Sequence, residues 1–259
     1  MTRVLPAISP PPRPPGDMAV AWLIAWRAAM EALRDRLSML VGLFFALVLP
    51  LALLLLVIRP MAISAGGETS ASALGDGLPF YLLLVGVVPA FSAVGIAAGQ
   101  FAGEKERGIL TPLLASPASN LAIFAGKVLG AVIPPLMYAA AAEAVYALGA
   151  AVLVGPIAPA LLFVPVSLAT VLVVPVVTCF AAVVASLISS RVRTFNAAQQ
   201  LGGLALMPVW GLVFALAARL RDLGPTALFE TVAVLAVLDG GLIALAAATW
   251  RREEVLAQQ

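Results

Sequence analysis

The residues of this chain that could take part in chemistry are mostly charged, and they are few. Four consecutive charges occupy Glu104–Arg107, and two acids, Glu143 and Asp239, stand alone in long apolar runs. If those runs cross a bilayer, an ionisable group within them costs about 2.5–3.5 kcal/mol, so it normally faces a cavity or a polar partner. We therefore expect Glu143 and Asp239 either to line a polar pathway or to form hydrogen bonds between packed helices.

Composition excludes several kinds of active site. The chain has no His and one Cys, Cys179, which excludes His-dependent catalysis, His-bound metals and an internal disulfide. An intramembrane aspartyl protease needs two mid-membrane aspartates, and only Asp239 lies so deep in an apolar run. We therefore expect no catalytic residue, no metal site and no cofactor in this chain, and we interpret Cys179 as a packing residue.

The elements that carry these charges are predicted to be membrane helices. Of the 259 residues, 63% are hydrophobic and 11% are charged, and the mean hydropathy is +1.08. A soluble domain carries about 25% charged residues, so this chain has too little polar material to cover a surface in water. We predict an all-α, polytopic membrane protein.

Six windows are apolar over the roughly 20 residues that a helix needs to cross a bilayer. The third and fourth exceed that length, so they should tilt, or break at Pro134-Pro135 and at Pro165 or Pro175. The predicted spans are residues 39–58, 80–100, 128–153, 160–188, 200–218 and 226–249.

The positions of Lys and Arg predict the orientation. If the N-terminus is inside, twelve of the 15 basic residues lie on the inner side, and only Arg59, Arg219 and Arg221 lie outside. Basic residues concentrate on the cytoplasmic side of membrane proteins. We therefore predict a multi-pass protein of the cell membrane with both termini in the cytoplasm, including a short tail over residues 251–259. No basic face interleaved with aromatics exists, so we expect no nucleic-acid partner.

The segment before the first span combines a tail with an amphipathic helix. Residues 1–16 are proline-rich and are predicted to be a disordered cytoplasmic tail. One helix is predicted over residues 17–37, with Asp17 as its N-cap. Trp22 and Trp26 fall on its apolar face, which predicts a helix in the inner membrane interface with both rings at headgroup depth. An amphipathic helix packed on protein is the alternative.

The loop between the second and third spans, residues 101–121, is the most informative segment. Glu104 and Arg107 can form an ion pair at i, i+3. Gly108 is placed to cap the C-terminus of the preceding helix. The sequence therefore predicts a charged turn in which the second span ends beyond the membrane surface.

A short apolar helix is predicted after that turn. Ser119 or Asn120 can then cap the third span. The apolar side chains need a covering surface, which lipid headgroups or a partner protein can supply. This apolar ridge consists of Ile109, Leu110, Leu113 and Leu114.

These motifs resemble the export-class permeases of ABC transporters, the ABC type-2 permease family. The run Gly103–Gly108, followed by the sequence PLLASP over residues 112–117 and by Gly126-Lys127, resembles the signature loop of that family. The run Arg191–Leu201 is similar to its second inner loop. With the six spans and the N-terminal helix, the resemblance extends over essentially the whole chain.

Two residues depart from the family pattern. Ile109 and Thr111 stand where the pattern has Thr and Glu. Neither change removes the charged turn or the apolar ridge.

The resemblance implies a transport subunit, not an enzyme. In this family the first inner loop forms a coupling helix in a groove of a separate ATP-binding subunit, whose closure on ATP swings the membrane helices. The chain has no phosphate-binding loop of the Gly-x-x-x-x-Gly-Lys-Ser/Thr type, so ATP and Mg would be bound by that partner. The residues that the resemblance places against it are Glu104, Lys105, Glu106, Arg107, Gly108, Ile109, Leu110, Leu113 and Leu114.

The resemblance also implies an assembly in the lipid bilayer. Two permease halves normally form the pathway, so we expect a second copy of this chain or a similar permease, together with two ATPase subunits. The Glu-Ala-Ala loop of importer-type permeases is absent, which favours export. The alternative is an ion-coupled secondary transporter or channel without an ATPase, although the matched broken helices of two related halves are not evident.

Overall fold

The computed structural model describes residues 16–64, 68–109, 116–155, 157–162 and 164–249. These residues are 93% helical and include no strand, which confirms the predicted all-α class. Apart from Gly16, the two predicted tails lie outside the described residues. Six helices are long and apolar enough to cross a membrane, as predicted: Arg36–Ile63, Gly77–Glu106, Asn120–Val154, Pro165–Arg191, Phe195–Ala215 and Thr226–Ala246.

We number the helices along the described part of the chain, starting from the N-terminus. The third, α3, is continuous from Glu68–Val87 through Val88–Ala90, Phe91–Ala98 and Gly99–Gly103 to Glu104–Glu106. The others are α1 (Asp17–Arg34), α2 (Arg36–Ile63), α4 (Asn120–Val154), α5 (Ile157–Leu162), α6 (Pro165–Arg191), α7 (Phe195–Ala218) and α8 (Leu220–Thr249).

Helix α1 is shorter than predicted and ends at Arg34, not at Leu37. Asp35 has an extended backbone, and its Oδ2 accepts a hydrogen bond from the backbone N–H of Ser38 at 2.9 Å. An aspartate in this position caps the next helix more favourably than it continues the previous one. Asp17 is the first helical residue and not the N-cap.

Two glycines of α4 let α1 pack closely against it. A Cβ atom on Gly126 would lie 2.7 Å from the carbonyl oxygen of Ala21, and one on Gly130 would lie 2.6 Å from Ala28 Cβ. Both distances are shorter than a van der Waals contact. Small residues four positions apart permit this kind of backbone approach between helices. Ala25 of α1 is fully buried in the contact.

The apolar face predicted for α1 is divided between two surroundings. Trp22 and Trp26 stack with ring centroids 6.4 Å apart, and they are 58% and 52% exposed. Ala25 and Ala29, beside them, are buried. The alternative of a helix packed on protein is therefore correct for the alanine face, and the headgroup depth of the tryptophans stays a prediction.

The third and fourth spans are not broken at their internal prolines. Helix α4 continues through Pro134-Pro135, and α6 continues through Pro175. Pro165 occupies the first position of α6, where a missing N–H breaks no helical hydrogen bond. The fourth span therefore begins at Pro165 and not at residue 160, because the separate helix α5 precedes it. Gly155, with φ of +85°, ends α4.

Helix α3 departs twice from regular α-helical geometry. It forms a 3₁₀ turn at Val88–Ala90, around Pro89, and a π-helical segment at Gly99–Gly103. A proline has no N–H for the helical ladder, which accounts for the first irregularity. The second lies directly before the charged run of the loop.

Helix α6 is central, because it packs against α3, α4, α7 and α8. Its buried alanines and valines share a core with Phe101 and Phe124. The outer faces of α7 and α8 expose large apolar side chains, as helices surrounded by lipid do. The loops that follow α3 and α6 meet at one end of the bundle. We call this the charged end, and it consists of residues 104–109, Lys127 and residues 190–195.

Candidate functional site

The end of α3 has the geometry that the sequence predicts. Gly108 has φ of +67°, and its N–H donates to the carbonyl of Lys105 at 3.0 Å. The N–H of Ile109 donates to the carbonyl of Glu104 at 3.1 Å. These two bonds form a Schellman motif, in which a glycine in the left-handed region ends the helix. The predicted C-terminal cap is confirmed.

Glu104 pairs across the bundle and not along its own helix. Its Oε2 accepts a bond from Lys127 Nζ of α4 at 2.6 Å. Lys127 is only 2% exposed, and its ammonium group also donates to the carbonyl of Gln100. The ring of Phe101 lies 5.0 Å from the same nitrogen. The predicted Glu104–Arg107 pair is therefore wrong, because a buried cation of the neighbouring helix lies closer to the carboxylate.

Lys105 is bound to the end of α6. Its Nζ donates to the carbonyl of Ser190 at 2.6 Å and to the carbonyl of Val192 at 3.2 Å. The last carbonyls of a helix have no partner within the helix and carry partial negative charge, so an ammonium group stabilises them. Lys105 is 8% exposed. Its direct contact with a partner protein, expected from the resemblance, stays a prediction.

Glu106 is bound to the start of α7. Its Oε1 accepts a bond from the backbone N–H of Phe195 at 3.1 Å. Thr194 caps the same helix, because its Oγ1 accepts from the N–H of Ala197 at 3.2 Å. A carboxylate at a helix N-terminus is favoured by the unpaired N–H groups and by the helix dipole. Three consecutive side chains, Glu104 to Glu106, therefore reach α4, α6 and α7.

Among the described residues of the loop, Glu106–Ile109 and Pro117 are exposed, and 46% of Ile109 is accessible. We call Arg107–Ile109 the tip. Leu110, Leu113 and Leu114, the rest of the predicted apolar ridge, lie outside the described residues. Ser119 caps α4, with its Oγ accepting from the N–H of Ala122 at 3.1 Å, as predicted.

Residues 20–213 match the family model described as ABC-2 type transporter. The chain belongs to this family. It is therefore the membrane component of an ABC-type transporter and a multi-pass membrane protein. None of the curated proteins matches it in sequence.

In this ABC-2 permease the two candidate pathway acids have different neighbours, and neither belongs to the charged end. Glu143 of α4 points at Gly86 of α3, whose missing side chain leaves room for the carboxyl group, and its Oε1 has no hydrogen-bond partner among the described residues. Asp239 of α8 is 5% exposed and faces the thiol of Cys179 in α6. Its Oδ1 likewise lacks a partner within the described part of the chain.

Sequence reasoning missed Ser189 and the structural role of Lys127. Ser189 is fully buried, and its hydroxyl bonds the backbone of α3. A weak signal was present: two serines, Ser189 and Ser190, end the apolar run of the fourth span directly before Arg191. The role of Lys127 could not be read from the sequence, because its partner Glu104 belongs to another helix.

Proposed function

We propose that this ABC-2 permease is the membrane-spanning subunit of an ATP-driven exporter of the cell membrane, with both termini in the cytoplasm. Residues 101–121 couple it to a separate ATP-binding subunit, which carries the ATP and Mg. The observation that supports this proposal is the arrangement of the charged end. The tip of one loop is accessible, while the residues directly before it are bonded to α4, α6 and α7.

The chemistry of the tip suits a protein groove better than open water. Ile109 exposes an apolar side chain two positions after the charged residue Arg107, and the Schellman motif at Gly108 holds the backbone of this segment. An apolar residue framed by charges is a common anchor of protein interfaces. A partner that grips this tip moves the end of α3 with it.

The translocation pathway is proposed to form between this chain and a second permease, either another copy or a similar chain. Asp239 and Glu143 are its candidate polar residues. Both carboxyl groups have an oxygen without a partner within the described residues, and an acid in an apolar span is costly unless a function or a polar neighbour retains it.

The decisive experiment is reconstitution with a co-expressed ATP-binding subunit. We expect the purified complex to contain two permease and two ATPase subunits, and transport in vesicles to require ATP. An ATPase variant lacking its phosphate-loop lysine is the matched control and should abolish transport. Purification of a single copy without an ATPase, or transport driven by an ion gradient alone, would contradict the proposal.

Ile109 tests the proposed contact with the ATPase. Replacing Ile109 by Ser should weaken binding of the ATP-binding subunit about tenfold, because an apolar anchor of an interface is lost. Ile63 provides the matched control, because it is a 72% exposed isoleucine at the C-terminal end of α2. Ile63→Ser should leave the affinity unchanged. Affinities are measured on both variants in nanodiscs, and equal affinities would exclude Ile109 from the interface.

Asp239 tests the proposed pathway. Asp239→Asn keeps the shape and removes the charge, so we expect transport to fall about tenfold while expression is retained, as when a hydrogen bond to a charged group is lost. Glu230, an exposed acid of the same helix, is the control, and Glu230→Gln should transport normally. Unchanged transport by Asp239→Asn would assign Asp239 to helix packing.

A further inference from the structure

The hydroxyl of Ser189 occupies a gap in the hydrogen-bond ladder of α3. The N–H of Ala102 donates to Ser189 Oγ at 2.9 Å, and Ser189 Oγ donates to the carbonyl of Ala98 at 3.1 Å. In a regular α-helix that N–H and that carbonyl would bond each other. The gap coincides with the π-helical segment Gly99–Gly103. A side chain inserted into the ladder is a known cause of such an irregularity.

Lys105 joins the same two helices one turn further along α3. Its ammonium group bonds the carbonyls of Ser190 and Val192, so that α3 is attached to the end of α6 at two successive levels. These bonds go to backbone atoms. A side chain can turn about its own torsions, whereas a backbone atom moves only when its helix moves.

The start of α7 is attached to the same part of α3. Ala98 and Ala102 of α3 form a small buried cluster with Ala198, against which Phe195 packs. Glu106 accepts the N–H of Phe195. The last two turns of α3 therefore contact the end of α6 and the beginning of α7 together.

We propose that Ser189 and Lys105 are positioning residues that transmit movement of the first loop to α6 and α7. The proposal rests on the proposed function, because the ATP-binding subunit supplies the movement. Lys105 is buried and its ammonium group is engaged with two carbonyls, so its role is to carry the force and not to bind the ATPase. Loss of either side chain weakens the attachment of the loop to the end of the fourth span, and through it the transmission to the fifth, while the exposed tip stays in place.

Lys105→Met is the main test, with Lys105→Arg as the conservative variant and Arg36→Met as the control. Arg36 is an exposed basic residue outside the charged end. The assembled transporter is reconstituted in vesicles, and three quantities are measured: affinity for the ATP-binding subunit, molecules transported per ATP hydrolysed, and amide hydrogen exchange over residues 188–197.

Lys105→Met should keep the affinity within about twofold and lower transport per ATP about tenfold, as expected for loss of a charge-assisted hydrogen bond. Exchange over residues 188–197 should rise by a similar factor. Lys105→Arg should restore most of the transport per ATP and most of the protection from exchange, because a guanidinium can donate to the same two carbonyls. Arg36→Met should change neither.

Ser189→Ala is a milder second variant in case Lys105→Met does not fold. It lets Ala102 bond Ala98 directly, so transport per ATP should fall and the π-helical segment should become more protected from exchange. The proposal is overturned if Lys105→Met weakens ATPase binding as Ile109→Ser does while exchange is unchanged. It is also overturned if exchange rises and transport per ATP stays normal. Transport that does not require ATP in the unsubstituted complex overturns the proposed function and the transmission role with it.

Discussion

Replacing Glu104 by Leu is expected to destabilise this protein by about 3–5 kcal/mol, the cost of leaving a buried charge without its partner. Lys127 is 2% exposed, whereas 24% of the Glu104 side chain is accessible. In Glu104→Leu the ammonium group keeps, among the described residues, the carbonyl of Gln100, the ring of Phe101 and the more distant charge of Glu31. The free energy of unfolding, measured by detergent titration of the purified protein, reports this cost.

Replacing the partner residue, Lys127, should lower the stability by less, and this asymmetry is the sharper prediction. Lys127→Met leaves a carboxylate that water can reach, so we expect a loss of about 1–3 kcal/mol. The double variant Glu104→Leu/Lys127→Met should be more stable than Glu104→Leu alone, because it contains no unpaired buried charge. If Lys127→Met is the more damaging single change, the ion pair does not govern stability at the charged end.

Gly126→Ala is expected to destabilise the protein by about 1–3 kcal/mol, the usual cost of overpacking. The new Cβ would lie 2.7 Å from the carbonyl oxygen of Ala21 and 2.9 Å from Ile24 Cβ. A backbone oxygen cannot turn away as a side chain can. Helix α1 must therefore shift as a whole, and the thermal midpoint of the purified protein should fall.

A glycine in open surroundings supplies the control, and its replacement by alanine should change the stability in the opposite direction. Gly211 lies within α7, and nothing stands within 4 Å of the Cβ that an alanine would add. Gly211→Ala should therefore be neutral or stabilising by up to about 1 kcal/mol, because alanine favours the helix more than glycine does. A loss of stability in Gly211→Ala equal to that in Gly126→Ala would show that the effect does not come from the contact with α1.

The features that the sequence predicts correctly depend on residues that are close to each other along the chain. The six spans follow from apolar runs of sufficient length. The caps at Gly108 and Ser119 follow from hydrogen bonds over three to five residues. Helix α1 ends three residues before the predicted Leu37, because Asp35 caps the following helix and ends the preceding one. This helix end is also a local feature, and its signal in the sequence is an aspartate within an amphipathic pattern.

The pairings at the charged end had no such local signal. Glu104 has Arg107 at helical spacing, and sequence alone favours that partner. The structure instead brings Lys127 to Glu104 from 23 positions along the chain. It brings the carbonyls of Ser190 and Val192 to Lys105 from 85 and 87 positions away. A donor that bonds a backbone carbonyl needs no particular residue type as its partner, so the sequence carries no mark of it.

The sequence by itself determined the class of protein, the number of spans and the loop that carries the charges, because hydropathy and capping are properties of short segments. Only the tertiary structure decided what each charge of Glu104–Glu106 does. Burial in an apolar bundle makes every ionisable group require a partner, and the packing of α3 against α4, α6 and α7 determines which partner is within reach. The same packing made Ser189, a residue at the end of an apolar run, part of the contact between α3 and α6.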